Sequence, residues 1–141
     1  MSASFIDLLL NPISSAFILS IALLAILFLQ SGLDKVFNYS GNYEWLKSHF
    51  AKSPLKNTVG MLMPVITLLE VAAGLFCAIG LITFLFYQST QLGLIGAQLS
   101  AVSILALFFG QRMAQDYAGA ASLTSYFLIS IFAIYLASLL S

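Results

Sequence analysis

The sequence has 141 residues, of which 61% are hydrophobic and only 7% are charged. A soluble globular protein carries roughly 25% charged residues, so the composition excludes a soluble domain and indicates an integral membrane protein. Five basic and five acidic residues leave no net charge, which argues against nucleic-acid binding because phosphate contacts need clustered Lys and Arg. The apolar runs far exceed the roughly ten-residue strands of a membrane β-barrel, so we expect an all-α bundle forming a single membrane domain, residues 1–141.

Four apolar segments are long enough to cross a membrane, because a hydrocarbon core of about 30 Å takes roughly 20 residues of helix. A short interfacial helix is predicted before them, over approximately residues 1–11, and it stops at Pro12. This N-terminus lacks the basic segment and the small-residue cleavage site of a secretory signal, so we expect it in the mature protein. The four membrane helices are predicted at approximately residues 14–37, 60–81, 84–109 and 123–140.

The connection between the first two membrane helices, residues 38–57, is the longest polar stretch of the chain. Tyr43, Leu46 and Phe50 recur in it at helical spacing, and Trp45 lies beside them. Tryptophan and tyrosine favour the level of the lipid headgroups. We therefore predict a short amphipathic helix that lies at the membrane interface.

Two positions compete for the turn between the second and third membrane helices, Gly80–Thr83 and Gln88–Gln91. We favour the first, because the second leaves an apolar helix of about 28 residues that would need a strong tilt to fit the bilayer. With the turn at Gly80–Thr83, Gln88, Gln91 and Gln98 form one stripe along the third helix.

Positive charge predicts the orientation, since short loops rich in Lys and Arg remain cytoplasmic. All five basic residues lie on the side of the membrane shared by the first and third connections, and they are Lys35, Lys47, Lys52, Lys56 and Arg112. We therefore expect loops 38–58 and 110–122 to be cytoplasmic and both termini to lie outside.

The candidate functional site is a polar layer around Glu70, the one charged residue inside an otherwise apolar span. The helical rise puts Glu70 roughly 15 Å from the cytoplasmic end of its helix and Gln98 roughly 17 Å from the matching end of the next. Gln30 lies about 10 Å inside the first helix. Lys35 is nearer the surface and would have to reach inward to pair with Glu70.

Three interpretations of this layer are open. A neutral Glu70 hydrogen-bonds Gln98 or Gln30 and holds helices together. Alternatively, Glu70 handles a proton or contacts a polar ligand head such as a quinone carbonyl, since ionisable residues inside membranes often serve function. The third interpretation is an electrostatic brace between Glu70 and Lys35.

We expect structural roles for the remaining polar residues. We expect two charge pairs to cap helix ends at the cytoplasmic mouth of the bundle. They are Asp34 with Lys35, and Arg112 with Asp116 four residues later. His49 is a single histidine without a second ligand, so we expect no metal site. Cys77 is the only cysteine, so one copy forms no disulfide or redox pair, and its apolar surroundings predict an inert thiol.

Three segments together resemble the DoxX family of small four-helix membrane proteins. They read GLDK at Gly32–Lys35, LLEVAAGLFCAIGLIT at Leu68–Thr83 and QRMAQDYAGAASLTSYFL at Gln111–Leu128. The residues that match the family motif are Gly32, Lys35, Glu70, Gly74 and Gly80. One departure is Phe84, which follows Thr83 where relatives often have a basic residue soon after the threonine.

The resemblance implies a four-helix bundle in the cytoplasmic membrane of a prokaryote. The family's namesake is a subunit of a thiosulfate:quinone oxidoreductase, and other relatives are linked to membrane redox complexes or to oxidative-stress defence. Function varies within the family, so the resemblance predicts the fold better than the activity.

Our leading hypothesis is an accessory subunit of a larger, redox-linked membrane assembly. It would contact lipid and other membrane subunits, with quinone as its one candidate cofactor, and we do not expect catalysis by this chain alone. One alternative is a small transporter or channel for protons or a polar solute that uses Glu70. Another is a scaffold or assembly factor whose aromatic interfacial segment binds partner helices.

Overall fold

The computed structural model describes residues 2–141, with side chains from residue 5 onward, and the described chain is built from helices. The six helices are α1 Ser2–Leu10, α2 Pro12–Phe37, α3 Tyr39–His49, α4 Val59–Tyr87, α5 Gln91–Met113 and α6 Tyr117–Leu140. Four of them, α2, α4, α5 and α6, are long and apolar enough to cross a membrane. The predicted all-α bundle of four membrane helices is confirmed.

The chain enters the bundle through a capped turn between α1 and α2. The side-chain oxygen of Asn11 accepts hydrogen bonds from the backbone N–H groups of Ile13 and Ser14, at 3.0 and 3.2 Å. Pro12 occupies the first turn of α2, where its missing N–H has no helical partner to lose. Helix α1 therefore ends close to the predicted position, and its Leu8 is buried against the bundle.

The connection between α2 and α4 folds as the short helix α3, which begins four residues earlier than the Tyr43–Phe50 spacing predicts. Phe50 is buried just beyond its end, whereas Trp45 is more than half exposed. Helix α3 packs on the adjoining ends of α2 and α4.

The predicted turn at Gly80–Thr83 is wrong. Helix α4 continues to Tyr87, and the turn is made by residues 88–90, where Gln88 adopts a left-handed conformation with φ 56° and ψ 28°. A helix of this length spans about 43 Å, which exceeds the hydrocarbon core, so it tilts or extends beyond the core. The predicted glutamine stripe is lost with the turn, because Gln88 lies outside the helix that carries Gln91 and Gln98.

Gly80 serves helix packing instead of a turn. A β-carbon at Gly80 would lie 2.4 Å from the Cα atom of Gly93 in α5, and one at Gly96 would lie 2.6 Å from the backbone nitrogen of Cys77. Small residues let membrane helices approach closely in this way. The bounds of the last two membrane helices also differ from the predicted 84–109 and 123–140, since α5 covers Gln91–Met113 and α6 begins at Tyr117.

The four long helices form a ring in which α2 packs on α4 and α6, and α5 packs on the same two neighbours. Helices α2 and α5 lie diagonally and share few contacts. Phe17 and Phe84 meet edge to face inside the bundle, with ring centroids 4.9 Å apart. The chain topology brings the end of α2, the start of α4, the end of α5 and the start of α6 together at one end, which we call the basic end.

Candidate functional site

The crossing of α2 and α4 is made by two glycines of the DoxX-like segments. A β-carbon at Gly32 would lie 3.0 Å from the backbone nitrogen of Val71, and one at Gly74 would lie 2.7 Å from that of Leu29. Each glycine thus admits the backbone of the opposite helix. Lys35 lies one turn after Gly32 and Glu70 one turn before Gly74, so the close crossing brings both side chains together.

Lys35 and Glu70 form an ion pair, with 2.9 Å between the Nζ atom and Oε1. Glu70 is only 2% exposed and the Lys35 side chain 16%. Side chains of a helix lean toward its N-terminus, so Lys35 points away from the nearby end of α2 and into the bundle. Of the residues predicted to surround Glu70, Lys35 is the one that the structure brings to it.

The two glutamines of the predicted layer do not join this pair. Gln30 and Gln98 are both exposed on the outside of the bundle, on the diagonal helices α2 and α5. The helical rise used to align them with Glu70 gives depth along a helix but not direction around it. The predicted hydrogen bonds from Glu70 to Gln30 or Gln98 are therefore wrong.

The charge pairs predicted at the mouth are replaced by other contacts. The carboxylate of Asp34 accepts a hydrogen bond from the side-chain amide of Asn42 at 3.2 Å, while Lys35 turns to Glu70. The guanidinium of Arg112 stacks over the ring of Tyr117, 4.5 Å from its centroid. Both predicted pairs, Asp34–Lys35 and Arg112–Asp116, are thus wrong within the part of the chain that the structure describes.

Asp116 instead caps α6 and faces a histidine. Its Oδ1 atom accepts a hydrogen bond from the backbone N–H of Gly119 at 2.9 Å. Its Oδ2 atom lies 3.6 Å from Nε2 of His49, and the same nitrogen donates a hydrogen bond of 2.7 Å to Oε1 of Gln111. The His49 ring also stacks on Trp45, with centroids 4.5 Å apart. His49 thereby ties α3 to the end of α5 and the start of α6.

A cavity of about 390 Å³ lies between α3, α4 and α5 at the basic end. Its polar lining comes from Lys35, Asn42, His49 and Gln111. The rest of the wall is largely apolar, with Trp45, Leu46 and Phe50 of the α3 region facing residues of α4 and α5. Lys35 therefore lines this cavity and also pairs with the buried Glu70.

Cys77 lies away from this site, in the contact between α4 and α5. Its sulfur is fully buried and 3.6 Å from the hydroxyl of Ser100. The Ser100 hydroxyl donates to the backbone carbonyl of Gly96 at 2.7 Å. Within the described residues, no group of three or more His, Cys, Asp or Glu side chains is arranged to hold a metal ion.

Comparison with known proteins agrees with these motifs. The family model of DoxX matches residues 21–103, more than half of the chain. The chain belongs to the DoxX family. No curated protein and no solved structure matches it.

The matched region of this DoxX protein contains the crossing glycines and the Lys35–Glu70 pair. It also contains Phe84, near the position where relatives often have a basic residue. The Phe84 ring is buried against Phe17 inside the bundle and fills core space. The cavity extends past the matched region to Gln111.

The contact between His49 and Gln111 escaped sequence reasoning. The basic residues predict that loops 38–58 and 110–122 lie on the same side of the membrane. That assignment carried the signal that their polar residues meet. It could not indicate which side chains face each other, because the path of α3 depends on tertiary packing.

Proposed function

We propose that this DoxX protein is an accessory subunit of a larger, redox-linked membrane assembly and that its basic-end cavity holds a quinone headgroup. The observation that carries the proposal is the cavity, with its small set of polar groups in an apolar wall. Its volume of about 390 Å³ falls within the roughly 300–1,000 Å³ typical of small-molecule pockets.

The polar lining suits a neutral ligand that accepts hydrogen bonds. The charge of Lys35 is balanced by Glu70, so the cavity offers no unpaired cation to an anionic ligand at this point. The side-chain amide of Gln111 and the ammonium of Lys35 provide donors. A quinone carries carbonyl acceptors and no charge, which matches this chemistry.

The apolar lining suits the isoprenoid tail of such a ligand. Val65 and Phe109 line the cavity and are each more than half exposed, so the cavity borders the lipid-facing surface of α4 and α5. A headgroup would enter at the level of α3, and a tail would leave between these side chains into the bilayer.

The short connections between the four spans support an accessory role. The connecting segments are short, and the longest of them folds as α3 against the bundle. A quinone held here would exchange electrons with a partner subunit, because one copy has a single cysteine and it is buried away from the cavity.

The burial of Glu70 supports a second candidate function, the transfer of protons or of a small polar solute. An ionisable group at this depth is costly unless a partner or water stabilises it. Lys35 connects Glu70 to the cavity, so the pair offers a relay between the bundle interior and the basic end.

Purification of tagged protein from its native membrane in gentle detergent tests the proposal. Mass spectrometry identifies co-migrating proteins, and solvent extraction measures bound quinone. We expect a redox enzyme in stoichiometric amount together with quinone. Recovery without a redox partner and without quinone would contradict the proposal and favour the transporter.

Two matched variants locate the quinone. Leu69 lines the cavity, whereas its neighbour Leu68 is 71% exposed on the outside of the bundle. We expect Leu69→Phe to fill the cavity and reduce the extracted quinone, and Leu68→Phe to leave it unchanged. In the same complex, Glu70→Gln should change quinone-linked turnover but leave a purely structural scaffold function intact.

A further inference from the structure

The outer face of α2 carries a continuous stripe of exposed side chains. Successive members are spaced four and three residues apart, the repeat by which two helices pack side by side. The stripe consists of Leu19, Leu23, Ile26, Gln30, Leu33 and Phe37. The other faces of α2 are already occupied by α4 and α6. Five apolar members and one amide therefore form a seam that no described residue of the same copy covers.

The amide of Gln30 is the unusual member of this seam. Gln30 lies seven residues before the end of α2, which is about 10 Å along the helix. Its side chain leans toward the helix N-terminus, so it points away from the nearer membrane surface. An amide held in hydrocarbon without a hydrogen-bond partner costs several kcal/mol. Gln30 therefore needs a partner from another chain.

Gln98, the other exposed glutamine, does not need one. It lies seven residues after the start of α5, so its side chain leans toward the nearer surface. A side chain in that position extends to the polar interface. The two glutamines also lie at different depths. Gln30 is about 10 Å from the basic end of the bundle, and Gln98 is about 10 Å from the opposite end. Gln30 of one copy thus cannot meet Gln98 of another copy in the same orientation.

We propose that the α2 seam is the interface of a symmetric dimer and that Gln30 pairs with Gln30 of the second copy. A two-fold axis along the membrane normal places identical residues opposite each other at the same depth. An amide is self-complementary, since its Nε2 donates and its Oε1 accepts. A single polar residue in such a seam fixes register and partner number. The proposal rests on the outer face of α2 and is independent of the quinone cavity.

Disulfide cross-linking in native membranes tests the interface. The single cysteine is first replaced by Cys77→Ala, with Cys77→Ser as a second background. We expect Ile26→Cys and Leu33→Cys to form cross-linked dimers on mild oxidation. Val102→Cys, an exposed position on α5, is the matched control and should remain monomeric. Equal cross-linking at all three positions, or none at the seam, would overturn the proposal.

Substitution of Gln30 tests the amide pair without a cysteine background. Gln30 is exposed, so Gln30→Leu keeps the fold and the apolar seam while removing the hydrogen bonds. We expect the association constant in lipid vesicles, measured by counting photobleaching steps of labelled protein, to fall about three- to tenfold. Gln30→Asn retains an amide and should keep most of the dimer. Monomeric wild-type protein, or equal association of wild type and Gln30→Leu, would refute the Gln30 pair.

Discussion

The Lys35–Glu70 pair is the residue-scale feature on which the site depends. Both side chains are largely removed from water, and the Nζ atom of Lys35 lies 2.9 Å from Oε1 of Glu70. A buried ion pair contributes little net stability, because desolvation of the charges offsets their attraction. Loss of one partner is different, since it leaves a charge without compensation.

This asymmetry gives a prediction at the residue scale. Lys35→Met should lower the free energy of unfolding by about 3–5 kcal/mol, because it leaves Glu70 buried and unpaired. The double variant Lys35→Met with Glu70→Met should recover most of that loss. Reversible unfolding in detergent measures both, with Lys56→Met at an exposed lysine of the same end as the control. A double variant as unstable as Lys35→Met would show that Glu70 needs no charge partner.

The sequence identifies Glu70 and Lys35 but leaves open whether Lys35, Gln30 or Gln98 contacts Glu70. Composition reveals a carboxylate in an apolar span, and the helical rise gives its depth. Direction around each helix is set by which faces pack, and those faces are nearly as apolar as the faces toward lipid. Depth alone therefore suggests Gln30 and Gln98 as neighbours of Glu70, yet both lie on the outside of the bundle.

At the scale of helices, glycines decide which elements approach closely. Gly80 against Gly93 and Gly74 against Leu29 leave no room for a β-carbon, since the nearest atoms are backbone. Backbone atoms cannot move aside as a flexible side chain does. The turn at Gly80 was wrongly predicted because Gly80 allows α5 to approach closely and does not end α4.

Gly80→Ala tests this role of glycine. A β-carbon 2.4 Å from the Cα atom of Gly93 forces α4 and α5 apart, which we expect to cost about 1–3 kcal/mol of unfolding free energy. Gly60→Ala is the matched control in the same helix, where the nearest atom is the Tyr43 hydroxyl at 3.6 Å. The control should lose no stability. Equal stability of Gly80→Ala and wild type would refute the close contact.

The basic residues of the whole molecule are confined to one end. Helix α3, the cavity and all five basic residues lie at the same end of the four-helix ring. The number and order of the spans could be predicted from hydropathy alone. The cavity could not, because it arises where α3 folds back over the ends of α4 and α5.

Charge placement predicts the orientation of the whole molecule. We expect Lys52→Cys in the α3–α4 loop to be protected from a membrane-impermeant maleimide in intact cells, and Ser141→Cys at the C-terminus to be labelled. Both variants are made with Cys77→Ala, and permeabilised cells serve as the control for reactivity. Labelling of Lys52→Cys in intact cells would reverse the orientation.

Binding of quinone to the cavity is the central claim, and the fluorescence of Trp45 tests it most directly. Trp45 is the only tryptophan and it lines the cavity, so a short-chain quinone titrated into vesicles should quench its emission. We predict saturable quenching in wild type and Leu68→Phe, and an apparent affinity about tenfold weaker in Leu69→Phe, equivalent to about 1.4 kcal/mol. Linear quenching of equal slope in all three proteins would show random collision in the membrane and would contradict the account.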